Sequence, residues 1–191
     1  MHSSHGPAGQ LCRIRVRARP GGFTLLELMI TLAVVAILAA LATPSFTGVI
    51  NSNRLTGQAN ELVAGIQMAR SEAVRRNRRI TLCRSTDGAT CANAVGKWNA
   101  WLVAVPGTNP LEIIQRGTLK APLELTAGEK SVDFRPDGLA RDATTGGLLV
   151  TAFTVCLPTT RPAENIRQVA LAGGSRVNIT SAAHGTPGSC P

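Results

Sequence analysis

The chain has 191 residues, 44% of them hydrophobic and 3% aromatic, with 20 lysines and arginines against 11 acids for a net charge of +9. Beside an N-terminal apolar run, that length leaves about 110–140 residues, enough for one ordinary domain and too few for two. The charge is compatible with a polyanionic partner. With four Phe, two Trp and no Tyr, however, the chain has few platforms on which bases could stack.

Residues 1–22 carry Arg13, Arg15, Arg17 and Arg19 and no acid. A basic segment ahead of an apolar span holds that side in the cytoplasm. After Gly21 and Gly22 comes FTLLELMITLAVVAILAALA, residues 23–42. About 20 apolar residues suffice to cross a bilayer as a helix. The run contains one acid, Glu27. An ionised carboxylate there costs at least a few kcal/mol unless something pairs with it. A plain signal anchor has no use for it. Neither has a secretory signal peptide cut at the Ala40-Leu41-Ala42 sequence.

Gly22 followed by Phe23-Thr24-Leu25-Leu26-Glu27-Leu28 resembles the class III signal of type IV prepilins and type II secretion pseudopilins. The resemblance implies cleavage between Gly22 and Phe23 by a dedicated prepilin peptidase. It also implies N-methylation of Phe23 and a role for Glu27 in filament assembly. The physics of the site fits that role. Cleavage creates an amine at Phe23, which the Glu27 carboxylate of a neighbouring subunit could neutralise in an apolar bundle. Removing residues 1–22 leaves sixteen basic against eleven acidic residues, a net of +5. The expected topology is single-pass in a bacterial inner membrane, with the C-terminal domain in the periplasm.

Pro44 interrupts the apolar pattern and predicts a kink. Beyond it, Leu55, Ala59, Leu62, Ile66, Ala69 and Ala73 form one apolar stripe at helical spacing. Together these features predict one helix over 23–77, roughly 80 Å long. Residues 23–44 would lie in membrane or filament core, and 45–78 would be its amphipathic continuation. Arg75, Arg76, Arg78 and Arg79 cluster where the helix should end, a position the macrodipole favours for cations. From residue 79 to 191 the pattern is β-rich. Strands are predicted at 79–83, 98–105, 111–116, 123–125, 131–134, 148–157, 168–172 and 176–180, separated by Gly-, Pro- and Asp-containing turns.

Cys83, Cys91, Cys156 and Cys190 remain once Cys12 is lost with residues 1–22. An even set in an exported domain reads as two disulfides, with three possible connectivities. Cys83 and Cys91 flank a seven-residue loop and form the local pair, which leaves Cys156 for Cys190. Zinc is the rival. No C-x-x-C occurs, and His184 is the only histidine past the leader.

Three stretches narrow the resemblance: 69–77 (ARSEAVRRN) before a strand, Leu82-Cys83-Arg84-Ser85, and Phe134-Arg135-Pro136-Asp137-Gly138. They resemble the GspH/FimT branch of minor pilins and pseudopilins, as does Trp98 spaced three from Trp101. The branch implies an α+β, type IV pilin-like fold: a long N-terminal helix packed on a C-terminal β-rich domain of two antiparallel sheets. It also implies other pilins or pseudopilins as partners, and in the FimT case double-stranded DNA. A G-R-x-R-like element of that branch aligns with Gly174-Ser175-Arg176-Val177-Asn178. Arg176 fits the first arginine, while Ser175 and Asn178 replace the glycine and the second arginine. Arg161 and Arg167 lie in the same stretch with one acid, Glu164, so Arg161, Arg167 and Arg176 are the candidate DNA contacts. Trp98 and Trp101 read as core anchors. His184 sits in a Gly/Pro-rich tail, and Asp133 and Asp137 flank a turn, so no catalytic set assembles. No cofactor or metal is expected. The expectation is a non-enzymatic filament subunit for type IV pilus biogenesis, with binding of DNA without sequence preference as one of its open uses. The alternative is a pseudopilin of a type II secretion system.

Overall fold

The computed structural model describes residues 22–142 and 145–191, except for the side chains of 41–45. Residues 1–21, with Arg13, Arg15, Arg17, Arg19 and Cys12, lie outside the described residues. The chain divides into two compact units, Met1–Ala42 and Thr43–Pro191. One helix, α1 (Leu25–Arg76), has residues in both.

In the first unit α1 is apolar apart from Glu27 and Thr31. Leu25, Leu26, Leu28, Met29, Ile30, Leu32, Val34, Val35, Ile37 and Leu38 are all exposed. A helix with no polar face has to be covered by something other than water. Among the described residues, no helix is long and apolar enough to cross a membrane.

In the second unit the helix is one-sided. Leu55, Ala59, Leu62, Ile66, Ala69 and Ala73, the stripe read from the sequence, are each at most 1% exposed. The helix stops by a defined device. Asn77 takes a left-handed φ of 48°. The Arg78 amide donates to the Ala73 carbonyl at 3.2 Å, and the Asn77 amide to the Val74 carbonyl at 3.3 Å. This is the Schellman pair of bonds, with Asn in the position that tolerates a left-handed backbone.

Among the described residues nine strands follow: β1 (Ile80–Ser85), β2 (Ala100–Val105), β3 (Glu112–Thr118), β4 (Glu124–Ala127), β5 (Ser131–Phe134), β6 (Ala140–Arg141), β7 (Thr151–Cys156), β8 (Ile166–Ala172) and β9 (Arg176–Ala182). They form two antiparallel sheets, of order β3-β2-β1-β5-β6 and β4-β7-β8-β9. β2 is buried throughout, as a strand flanked on both edges and covered on both faces should be. Eight of the nine strands coincide with predicted segments. The exception, β6, is two residues long, too short to carry a period. The predicted strand at 148–157 begins only at Thr151, because Leu148 makes an isolated bridge to Arg141 instead.

The helix stripe, Trp98, Trp101, Phe134, Phe153 and the inward residues of both sheets form one core. Trp98 meets Phe153 edge-on, with centroids 5.3 Å apart. Trp101 explains two glycines. A Cβ at Gly65 would stand 2.6 Å from its ring, and one at Gly117 would stand 2.0 Å away. The helix and β3 therefore both approach the indole closely, and only glycine fits at either point.

Disulfides join Cys83 to Cys91 and Cys156 to Cys190, with Cα separations of 5.6 and 5.7 Å. The first loop is knit further by Asp87. Its carboxylate accepts the Thr90 and Ala89 amides at 2.8 and 2.9 Å and the Thr90 hydroxyl at 2.7 Å. Hydrogen bonds from the Thr90 side chain and backbone and from the Ala89 amide hold this carboxyl well below the usual range. The C-terminal segment has a second anchor that the sequence did not announce. The buried Asn165 amide donates to the Ser189 and Leu157 carbonyls at 2.9 and 3.1 Å and accepts the His184 amide at 3.1 Å.

Candidate processing and assembly site

Gly22, Phe23 and Thr24 precede α1 and are exposed. A Cβ at Gly22 would meet nothing within 4 Å, and its φ is not in the left-handed region. Among the described residues, nothing in the fold requires glycine at this position. Any requirement for it comes from a molecule that receives the segment.

Thr24 is the last residue before the helix. Its Oγ1 accepts the Glu27 amide at 3.2 Å, and its carbonyl accepts the Leu28 amide at 3.1 Å. Thr24 is thus the N-cap and Glu27 the third helical residue, the spacing of a capping box. The position also lets the helix dipole stabilise an acid in the first turn. Sequence reasoning treated Glu27 as an unpaired charge in an apolar run. The Thr-x-x-Glu pattern that carries the cap was in plain view.

The candidate DNA contacts do not come together. Arg167 is only 7% exposed. Its guanidinium donates to Ser52 Oγ at 3.0 Å, to Thr56 Oγ1 at 3.4 Å, and to the Glu164 and Ile166 carbonyls at 3.0 Å each. It is a clamp between β8 and α1, not a surface cation. Arg161 and Arg176 are exposed but lie far apart. Asn51 of the helix donates to the Arg161 carbonyl at 2.8 Å, whereas Arg70 donates to the Ser175 carbonyl at 3.4 Å. Nineteen helical residues separate those two anchors, roughly 28 Å along the axis. Ser175, which replaces glycine in the element, has φ 59° and is buried. Its hydroxyl accepts the Ala140 amide at 2.6 Å. Here the serine locks the β8–β9 turn onto β6.

The arginines at the helix end are largely engaged. Glu72 accepts Arg75 and Arg76, each at 2.6 Å, and Arg76 also reaches Glu112. Hydrogen bonds from Arg75 and then Arg76 pull the Glu72 carboxyl down to about 2. Arg79 lies 3.8 Å from Asp133. Asp137, in the turn between β5 and β6, accepts Arg141 at 2.9 Å and the Leu139 amide at 2.9 Å. These two bonds lower its carboxyl. A groove of about 640 Å³ runs between helix residues 50–61 and residues 120–123. Its charged lining is Arg54, Glu61 and Lys120. His184 Nδ1 is occupied by its own turn through Thr186. Among the described residues, no cluster of His, Cys, Asp and Glu could hold a metal.

Comparison with known proteins places this arrangement. The family described as "Type II transport protein GspH" matches residues 58–183, and the "Prokaryotic N-terminal methylation motif" matches residues 17–43. A type IV major alpha-pilin and the fimbrial protein Q, both of Moraxella bovis, are each 48% identical over 44 residues. That match takes in 23% of this chain and 28% of either relative. The type IV minor pilin FimU of Pseudomonas aeruginosa superposes with a TM-score of 0.50 at 20% identity, over 68% of this chain and 90% of FimU. The minor pseudopilin EpsH of the Vibrio cholerae type 2 secretion system gives 0.48 at 11% identity, over 67% and 97%.

Proposed function

The chain belongs to the GspH family, as a minor pilin or pseudopilin subunit of a filament, and from that premise we propose that it serves a type IV pilus after cleavage between Gly22 and Phe23. The observation that carries this reading is the pairing of an exposed, largely apolar helix segment with a glycine that its own fold does not need. Before assembly the helix needs lipid. Counted in sequence, 23–42 supplies the roughly 20 residues a span requires. Arg13 to Arg19 would hold the leader in the cytoplasm and send the β domain to the periplasm. After assembly, the same apolar surface would be covered by equivalent helices of other subunits. The new Phe23 amine, a substrate for N-methylation, then has the Glu27 carboxylate of a neighbour as its counter-charge.

The two disulfides and the net charge of +5 after cleavage favour the pilus, which carries its subunits outside the cell. The type II secretion reading is supported by the description of the family itself. Non-specific binding of duplex DNA would fall to Arg176, the arginine of the partial element, which is exposed. Intact mass of the membrane-derived protein tests the proposal. An N-terminus at Phe23 is expected, and one at Thr43 would remove the filament reading. Deleting the gene and scoring piliation against protein secretion separates the two systems.

A further inference from the structure

The start of α1 is encoded entirely on the C-terminal side of the bond to be cut. The first four amides of any helix lack intrahelical partners. Here Thr24 Oγ1 takes the Glu27 amide, and the Thr24 carbonyl begins the helical ladder. Phe23 and Leu28 occupy the two positions of a hydrophobic staple, just before the cap and four residues into the helix. Gly22 and Phe23 stay outside the helix, without regular structure and exposed.

We infer that Thr24 is the positioning residue for cleavage at Gly22–Phe23: by capping α1 it keeps the scissile bond outside the helix, where a peptidase can bind it. The inference rests on the processing reading above. Hydrolysis adds water across the bond, giving a carboxylate on Gly22 and an amine on Phe23. The attacked carbonyl must therefore be free of helical hydrogen bonding. Without the Thr24 hydroxyl the helix has to find another cap. Phe23 is a poor one, whereas glycine is tolerated at that position. With the cap at Gly22, Phe23 would become the first helical residue and the Gly22 carbonyl would enter the helical ladder. The bond would then be drawn into the helix start.

The test uses the full-length precursor in inner-membrane vesicles with the prepilin peptidase, following loss of precursor by mass. Thr24→Val keeps the shape and removes the cap. Thr24→Ser and Thr24→Asn are chemically different, but both cap. The expected result is cleavage of Thr24→Val slowed by about fivefold, the ordinary worth of an N-cap. Thr24→Ser and Thr24→Asn should stay near the wild-type rate, and all variants should resist carbonate extraction equally. Cleavage of Thr24→Val at the wild-type rate overturns the inference. So does Thr24→Asn as slow as Thr24→Val, since the peptidase would then be reading the hydroxyl directly. A wild-type chain that is not cut at Gly22 removes the processing reading itself, a different result from either.

Discussion

Arg167 and Arg176 lie nine residues apart in one basic stretch, and the fold gives them opposite fates. Arg167 is enclosed, and its guanidinium satisfies two helix hydroxyls and two carbonyls. Removing it takes the donor from the buried Ile166 carbonyl and the half-buried Ser52 hydroxyl, and a buried acceptor left unpaired costs about 1–3 kcal/mol. Arg167→Ala should therefore lower the denaturation midpoint of the protein. Arg176→Ala should leave the midpoint unchanged, because it takes an exposed side chain from the end of β9. If duplex DNA is bound, Arg176→Ala should weaken it on every sequence and reduce the salt slope by about one. Equal effects of Arg176→Ala and Arg167→Ala in a gel-shift titration would contradict this division. The sequence shows the excess charge of the stretch but not its dispersal. Ser52 and Thr56, which claim Arg167, are more than a hundred residues away, and no local pattern connects them.

At the scale of elements, periodicity was the legible signal. The six-residue stripe of α1 was identified by spacing alone, because one face of a long helix repeats regularly. What could not be read was the cause of its glycines. Gly65 looks like a weakness in a helix, worth about 1 kcal/mol against alanine. The structure shows that it makes room for Trp101, whose ring a Cβ would approach to 2.6 Å. Forcing a methyl into a packed core typically costs about 1–3 kcal/mol. Trp101 is buried, and Gly117 of β3 crowds the same ring. Overpacking should outweigh propensity, so Gly65→Ala is expected to destabilise the protein in denaturant titration. A higher midpoint would show that the indole can shift after all. β6 and the Asn165 anchor were likewise unreadable, the first for lack of length and the second because its partners are backbone carbonyls.

The molecule as a whole joins a folded β domain to an apolar helix that water cannot cover. The fold class, the order of elements and the processing motif were legible because each repeats a local rule. The choice between pilus and secretion filament was not, because it depends on surfaces of other subunits. Glu27 is where the chain's own physics meets assembly. In the isolated chain it sits in the first turn of a capped helix, where the dipole favours an acid. Glu27→Ala should leave the β domain folded and the chain in the membrane while reducing its recovery in sheared filaments severalfold. Undiminished recovery would mean that the carboxylate serves the helix start and not the neighbour.

The placement of the two disulfides has a consequence for the order of folding. Cys83–Cys91 closes within the strand β1 and its following turn, while Cys156–Cys190 encloses only the β8–β9 hairpin and the tail that follows it. Neither bridge crosses from one sheet to the other. Short loops close fastest and at the least entropic cost. Each sheet can therefore oxidise before the sheets meet, on local structure alone. A chain trapped with Cys83 joined to Cys156 would be one in which collapse had outrun oxidation.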